Sequence, residues 1–286
     1  MKELYEKRNQ QSYSVAASSH AQFGLKATLY LAYRDCRAIL QKHLFERAPK
    51  PTYRLLDYGC GAGLSTSIYT QIIKEAGHNV EIVGADISDE NLAYAKTKVP
   101  EGTFVKIDPN QSLAILGKFD LIICNFVLVE LPSDQMEDTI KKLKPLLDDN
   151  GVFITTNATR QAYKASNAWY TLNNRFEENT PQEPKGDKLR LREDQKVSLA
   201  VSDPKTGQQL FRFFDFFHSG RAYRNAYTAA GLQLMETHRP IGKPTDGISW
   251  KAEYEFSPYK IHVLYPNKAP ELTLTSSHDN FIQSRL

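Results

Sequence analysis

Cysteine is scarce in this chain of 286 residues, which has only three cysteines. Cys36, Cys60 and Cys124 are widely spaced and form neither a CxxC pair nor a Cys/His pattern. Neither a disulfide framework nor a metal site is therefore predicted. Such sparse cysteines are typical of a protein of the reducing cytoplasm, which is the location we expect.

Charge of one sign is also lacking, because 36 basic and 33 acidic residues leave a net charge of +3. Without a concentrated basic surface, nucleic acid is not an expected partner. The first eleven residues have no apolar core and cannot serve as a signal peptide. The longest apolar run, residues 121–131, contains Asn125 and Glu130 and is too short to cross a bilayer. A membrane is therefore not expected either.

Hydrophobic residues make up 41% of the chain and charged residues 24%, as in ordinary globular proteins that bury a core. Apolar runs and turn signals alternate along the first half of the core. They predict strands at residues 54–58, 80–85, 104–107, 119–124 and 152–156, helices at 64–74, 89–97 and 135–147, and a turn at 149–151. This alternation indicates a parallel sheet covered by helices on both faces.

Three further parts of the chain flank or interrupt this pattern. Residues 1–48 are predicted to form a helical lid, with helices between residues 12 and 44. The core should span residues 49–266, with an irregular insertion at about 160–206 that covers the site. Strands at 209–217, 232–237 and 259–265 and a helix at 221–230 complete the core. Residues 267–286 read as a polar tail, whose final Ser-Arg-Leu resembles a peroxisomal address more by coincidence than by function.

The glycines at 59, 61 and 63 follow a predicted buried strand and precede a helix. Glycine allows a tight turn and close approach of a ligand, and the helix start offers unpaired N–H groups. Asp57, just before the turn, can accept hydrogen bonds from an ammonium group or from turn amides. A dinucleotide site would have glycine or alanine where this chain has Leu64, so the pattern favours a ligand with an amino-acid tail over NAD.

Acidic residues also end the next two predicted strands. Asp86 stands where a carboxylate meets the ribose hydroxyls of a nucleoside, and Ile87 could pack on its base. Asp108 either accepts from an adenine amine or is a turn residue. Cys60 is interpreted as a small residue facing the preceding strand, because no base for a nucleophile is evident beside it.

The run Asp57 to Gly63 (DYGCGAG), followed by Asp86, Asp108 and Asn125-Phe126, resembles class I S-adenosylmethionine-dependent methyltransferases of the small-molecule type. The resemblance covers about residues 50–160. It implies an α/β, Rossmann-like fold with a seven-stranded, mostly parallel sheet, an antiparallel last strand, an N-terminal helical lid and an insertion after strand five. It also implies that S-adenosylmethionine is bound by Asp57, Gly59, Cys60, Gly61, Gly63, Asp86, Ile87, Asp108, Asn125, Phe126 and, from the leading segment, Tyr13.

Methyl transfer is an in-line displacement that depends mainly on alignment of the reactants, so a dedicated catalytic residue is not required. If a base acts, His218 is the first candidate, because its ordinary pKa lies near neutrality. Glu130 either faces the transferred methyl group or only begins a loop.

The expected acceptor is a small molecule methylated on oxygen or nitrogen. Residues 125–128 (NFVL) lack the Asn/Asp-Pro-Pro-aromatic run of enzymes that methylate amino groups of DNA bases. The alternatives are a protein or RNA methyltransferase of the same fold, a dehydrogenase, and a cofactor-binding module without catalysis.

Overall fold

A computed structural model describes residues 28–108, 111–164, 169–174, 191–202, 206 and 209–267. A seven-stranded sheet with the order β3-β2-β1-β4-β5-β10-β9 forms its centre. The strands are β1 Thr52–Tyr58, β2 Asn79–Asp86, β3 Thr103–Lys106, β4 Phe119–Ile123, β5 Leu147–Ala158, β9 Leu232–His238 and β10 Tyr259–Pro266. Strands β1 to β5 are parallel, and β10 runs antiparallel to both of its neighbours, β5 and β9. The predicted sheet and its antiparallel last strand are confirmed.

Five α-helices accompany the sheet in the described residues: α1 Cys36–Leu40, α2 Leu64–Glu75, α3 Asp89–Lys98, α4 Ser133–Leu143 and α5 Gly220–Ala229. Ser88 caps α3 by accepting a hydrogen bond from the backbone N–H of Asn91, as predicted. None of the helices in the described ranges has the length and hydropathy that a bilayer span requires.

The two faces of the sheet form two separate hydrophobic clusters, because successive strand residues point to opposite sides. Leu55 and Ile123 lie on the face covered by α1 and α2, where they belong to one cluster with Tyr69. Leu56 and Ile122 lie on the other face, in a cluster with residues of α4 and α5. Each fully buried aliphatic side chain of this kind contributes about 1.5–3 kcal/mol.

Residues 149–151, predicted as a turn, lie within β5, so that prediction was wrong. The pairing of β4 with β5 shifts register between Phe119, opposite Leu147, and Leu121, opposite Val152. The extra residues of β5 are accommodated as a bulge, which polar and glycine residues form as readily as a turn. The predicted helix at 135–147 also ends earlier, at Leu143.

The insertion contains regular structure that its composition did not indicate. Strand β7 (Lys196–Ser202) pairs with β6 (Leu172–Asn174) on one side and with β8 (Gln209–Phe216) on the other, which gives a second, antiparallel sheet with the order β6-β7-β8. The phenylalanine-rich strand β8 thus belongs to this small sheet and not to the central one. A third hydrophobic cluster connects Val197 and Leu199 of β7 with Val129 and Ala158 of the central domain.

The described part of the leading segment consists of a 3-10 helix at Thr28–Ala32, α1 and a π-helix at Gln41–Phe45. Leu31, Leu40 and Leu44 are fully buried in the first cluster. Residues 28–45 are therefore an integral part of the core. The remaining helix predicted before residue 28, the lid role of residues 1–27 and the tail from residue 268 lie outside the described residues.

A buried carboxylate ties three distant segments together. Glu253 is 0% exposed, and its Oε1 accepts from the Thr28 hydroxyl at 2.6 Å and from the Tyr170 N–H at 2.8 Å. Thr28 in turn exchanges hydrogen bonds with Thr171 through its N–H and its hydroxyl. The chain before α1, the small sheet and the segment before β10 are therefore held at one point.

We expect Glu253→Ala to lower the free energy of unfolding by about 2–3 kcal/mol, because buried donors of Thr28 and Tyr170 lose their acceptor. Glu253→Gln keeps an oxygen acceptor of the same size and should cost clearly less. Urea unfolding followed by circular dichroism measures both. Equal losses for the two variants would contradict the assignment of stability to these hydrogen bonds.

Candidate active site

The glycine turn follows β1 and is fastened to the end of β2. The N–H groups of Gly59 and Cys60 both donate to the Ala85 carbonyl, at 2.7 and 3.0 Å. Gly63 has a φ of +80°, and a Cβ there would lie 2.9 Å from Cα of Ala95, so only glycine lets the turn close on α3. Gly61 also has a positive φ, but a Cβ on it would meet no atom of the described chain within 4 Å. The turn therefore leaves open space beside Gly61.

Asp57 lies near the end of β1, is 0% exposed and is held by α2. Its Oδ2 accepts from the hydroxyls of Ser65 and Thr66, both at 2.6 Å, and not from turn amides. Its Oδ1 is buried and has no hydrogen-bond partner among the described residues. Burial raises the pKa of Asp57 to about 6, although the two hydroxyls act in the opposite direction. The free oxygen is suited to an ammonium donor.

Asp86, the last residue of β2, connects the turn with α3. Its Oδ2 accepts from the Gly61 N–H at 2.9 Å, while Oδ1 accepts from the Ser88 N–H at 3.0 Å and the Asn91 amide at 3.3 Å. A carboxylate offers about four acceptor positions, so a further donor can still be accommodated. The structure thus fixes the carboxylate directly beside the glycine turn, as the predicted role requires.

The other residues predicted from the first three loops lie near this carboxylate. The half-buried Ile87 packs against the second cluster. The Ile107 N–H donates to the backbone carbonyl of Asp86 at 3.0 Å, which brings the exposed Asp108 to the same edge of the sheet. Cys60 is buried, and burial raises the pKa of its thiol, in agreement with the interpretation that it is not a nucleophile.

Asn125 and Phe126 follow β4 and form the next part of the same edge. Asn125 is 7% exposed, and its amide lies near the hydroxyls of Tyr33 and Tyr69, but neither polar atom makes a hydrogen bond of normal geometry with the described residues. Phe126 has a φ of +61°, a left-handed conformation that is rare outside glycine and typical of functional sites. Its ring meets Tyr259 edge to face, with 5.2 Å between the ring centroids.

Sequence reasoning missed Tyr33 and Tyr69 as members of this site. The charge of Asp57 raises the pKa of Tyr33 in addition to the effect of burial, so the two side chains are close. The Cys36 thiol donates to the Tyr69 hydroxyl at 3.2 Å. Tyr33 lies in the turn before α1 and Tyr69 on α2, and the apolar spacing of these segments does not separate a site residue from a packing residue. Tyr13, the one predicted contact from the leading segment, lies outside the described residues.

His218 lies away from the glycine turn, against the segment that follows β4. Its Nε2 donates to the Leu131 carbonyl at 2.8 Å, its Nδ1 is 3.5 Å from the Ser133 hydroxyl, and its side chain is fully buried. Burial lowers the pKa of His218. The role as a base stays a prediction, but this geometry favours a structural role.

Sequence reasoning also missed a buried acidic residue of the small sheet. Asp215 of β8 is 1% exposed, and its Oδ2 accepts from the Tyr163 hydroxyl at 2.9 Å. Burial raises the pKa of Asp215 to about 7. The pKa of Glu130 is raised as well, by burial and then by the charge of Asp215. The signal in the sequence was one acidic residue inside the phenylalanine-rich strand, where a carboxylate is out of place unless it has a function or a partner.

Among curated proteins, an uncharacterised methyltransferase of Synechocystis is 28% identical to this chain over 113 residues, which is 40% of the chain and 50% of the relative. A trans-aconitate 2-methyltransferase of Variovorax paradoxus is 32% identical over 125 residues, 43% of the chain and 46% of the relative. The chain thus spans about half the length of the curated relatives it matches.

The fold is similar to that of solved methyltransferases. The crystal structure of an S-adenosylmethionine-dependent methyltransferase from Clostridium acetobutylicum superposes with a TM-score of 0.55 at 18% identity, over 82% of this chain and 92% of the other. Residues 49–215, more than half of the chain, match the family described as a methyltransferase domain. The chain therefore belongs to this family, the class I S-adenosylmethionine-dependent methyltransferases that its glycine turn and acidic strand ends resemble.

Proposed function

We propose that this protein transfers a methyl group from S-adenosylmethionine to a small molecule, on oxygen or nitrogen. The observation that carries the proposal is the unpartnered buried oxygen beside the glycine turn, Oδ1 of Asp57. A buried polar group without a partner costs about 1–3 kcal/mol, so a donor from a ligand or from water would complete it. Its position at the carboxyl ends of parallel strands is where ligands bind in open α/β sheets.

The residues present fit the cofactor. Asp57 and Asn125 would bind its amino-acid tail, Asp86 its ribose hydroxyls, and Ile87 and Asp108 its adenine. Gly59, Gly61 and Gly63, with Cys60 among them, would let the tail pass close to the backbone beside Gly61. Phe126 would complete the site from the β4 side. The bound cofactor supplies an activated methyl group, and the protein aligns the acceptor and excludes water.

A small-molecule acceptor agrees with the chemistry of the surface and of a relative. The nearly balanced charge gives no broad basic surface for RNA. The Variovorax relative is named for the small acid trans-aconitate. The three cysteines are free and buried, which supports the cytoplasmic location that we propose.

We expect Asp86→Ala to weaken S-adenosylmethionine binding by at least about 100-fold, because charge-assisted hydrogen bonds to two hydroxyls are worth about 3 kcal/mol together. Isothermal titration calorimetry measures the affinity. Asp89→Ala is the matched control, since Asp89 is an exposed neighbour that pairs with Lys106 at the surface. Unchanged affinity in Asp86→Ala would contradict the assignment of this residue.

The same titration, repeated with NAD, distinguishes the proposed function from a dehydrogenase. We expect S-adenosylmethionine to bind and NAD not to bind, because Leu64 occupies the place of the glycine that a pyrophosphate requires. Tight binding of S-adenosylmethionine without methyl transfer to any compound of a metabolite library would instead indicate a module without catalysis.

The raised pKa of Asp57 predicts a pH dependence of cofactor binding. Below pH 6 the buried carboxyl of the free protein is protonated, and an ammonium ligand requires the carboxylate. Affinity should therefore be constant above about pH 7 and fall as the pH decreases through 6. The free protein should show the reverse trend and lose stability as the pH rises through 6, because folding favours the protonated form.

Asp57→Asn removes one titrating group and should remove the change of affinity near pH 6. It should also reduce the loss of stability with rising pH, of which the contribution of Asp215, whose pKa is raised to about 7, remains. Calorimetry and urea unfolding between pH 5 and 8, on the variant and the unmodified protein, provide the comparison. The same slopes in both proteins would exclude Asp57 as their origin.

A further inference from the structure

The carboxyl groups of Glu130 and Asp215 meet at the junction of the central domain and the small sheet. Glu130 ends the short 3-10 helix Leu128–Glu130, five residues after Asn125, and this helix packs against β8, which carries Asp215. The charge of Asp215 also contributes to the raised pKa of Glu130, after burial. Two acidic residues therefore lie in the same junction between the 3-10 helix and β8.

Asp215 is incompletely satisfied. Tyr163 donates its hydroxyl to Oδ2, but Oδ1 is buried and has no partner among the described residues. Nearly every buried carboxylate oxygen in proteins is paired with a donor, so an open one marks a place where a donor is missing. Glu130 does not fill this place, because no donor of the described residues, Glu130 included, lies within hydrogen-bond geometry of Oδ1.

The junction that contains Asp215 and Glu130 lies next to the loop after β4, which belongs to the proposed cofactor site. Asp215 raises the pKa of Tyr259, whose ring contacts Phe126 of the loop after β4. Phe126 also packs against the third hydrophobic cluster, which contains Tyr163 and Phe217. Only aromatic side chains, such as those of Tyr259 and Phe126, would thus lie between a group bound at Oδ1 of Asp215 and the loop after β4.

We propose that Asp215 and Glu130 form the subsite for the methyl acceptor, and that the acceptor presents an amine to Oδ1 of Asp215. This inference rests on the proposed function and specifies its acceptor. An ammonium nitrogen supplies the missing donor, and its positive charge favours the ionised form of Asp215 against the effect of burial. A carboxylate acceptor of the trans-aconitate kind would instead be repelled by the ionised Asp215.

The same arrangement serves the chemical step. The carboxylate of Asp215, which Tyr163 holds in place, first takes one N–H proton from the bound ammonium and so frees the nitrogen lone pair. As this lone pair forms the bond to the methyl carbon, the carbon–sulfur bond of the donor breaks, its electron pair stays on sulfur, and the methylated product leaves as an ammonium ion. His218, with Nε2 bound to the Leu131 carbonyl, is not required for this transfer.

The titratable groups around Asp215 come from every element packed on it. Tyr163 follows β5, Glu130 follows β4, Tyr223 lies on α5 and Tyr259 on β10, and the residue opposite on β7 is the apolar Val197. The tyrosines stay neutral near pH 7 because burial raises their pKa further. Among these groups, Asp215 changes charge near neutrality, because burial raises its pKa to about 7.

The test uses the full chain saturated with S-adenosylhomocysteine and three probes that share one ring: benzylamine, benzyl alcohol and benzoate. Calorimetry at pH 8 should show benzylamine binding at least ten-fold more tightly than either other probe. Asp215→Asn should reduce benzylamine binding at least ten-fold and leave the affinity for S-adenosylhomocysteine unchanged. Asp138→Asn, the same change at an exposed position on α4, is the control and should behave like the unmodified protein.

Equal or tighter binding of benzoate or benzyl alcohol, no binding of benzylamine, or an unaltered benzylamine affinity in Asp215→Asn would each overturn the inference. If the unmodified protein fails to bind S-adenosylhomocysteine, the proposed function fails first and the inference with it.

Tyr163→Phe is the second variant, to be used if Asp215→Asn does not fold. Loss of its hydroxyl raises the pKa of Asp215, so the pH midpoint of benzylamine binding should move upward, and an unmoved midpoint would equally overturn the inference.

Discussion

The attachment of the glycine turn to the end of β2 is the constraint on which the rest of the site depends. The Ala85 carbonyl receives two N–H groups of the turn, and the Asp86 carboxylate receives a third from Gly61. The other oxygen of Asp86 accepts from the Ser88 N–H at the start of α3. One side chain therefore sets the position of the glycine turn, and with it α2, relative to β2 and α3. Asp57, Asn125 and the open space beside Gly61 are aligned only when this attachment is in place.

The proposed acceptor subsite lies where the small sheet meets the central domain. Its strand β8 carries Asp215 toward the segment after β4, while Val197 and Leu199 of β7 bury themselves in the third cluster. These apolar contacts hold the small sheet on the central domain. The polar residues at the junction are not needed for this contact, and we propose that they bind the acceptor. Glu253 secures the same sheet from the other side through Tyr170 and Thr28.

Local patterns predicted the elements that carry a strong signal. The apolar run of β4, the cap at Ser88 and the glycines around α2 each follow from short-range preferences, and all three lie where the sequence placed them. The bulge at 149–151 was missed because Asp-Asn-Gly suits a turn and a bulge equally, and only the register against β4 decides between them. The strand β7 was missed although its apolar residues alternate, because the surrounding charged residues concealed the period.

The family, the cofactor class and the loops that meet at the strand ends follow from the order of amino acids, since these depend on backbone conformations that few residues other than glycine adopt and on acids at fixed chain positions. Which polar groups are left without partners depends on the packing of the folded chain. Asp57 Oδ1, Asn125 and Asp215 Oδ1 are singled out by what surrounds them, and those surroundings come from residues up to about a hundred positions away in the chain. Burial and hydrogen-bond pairing are properties of packed neighbours, so no pattern along the chain could have revealed them.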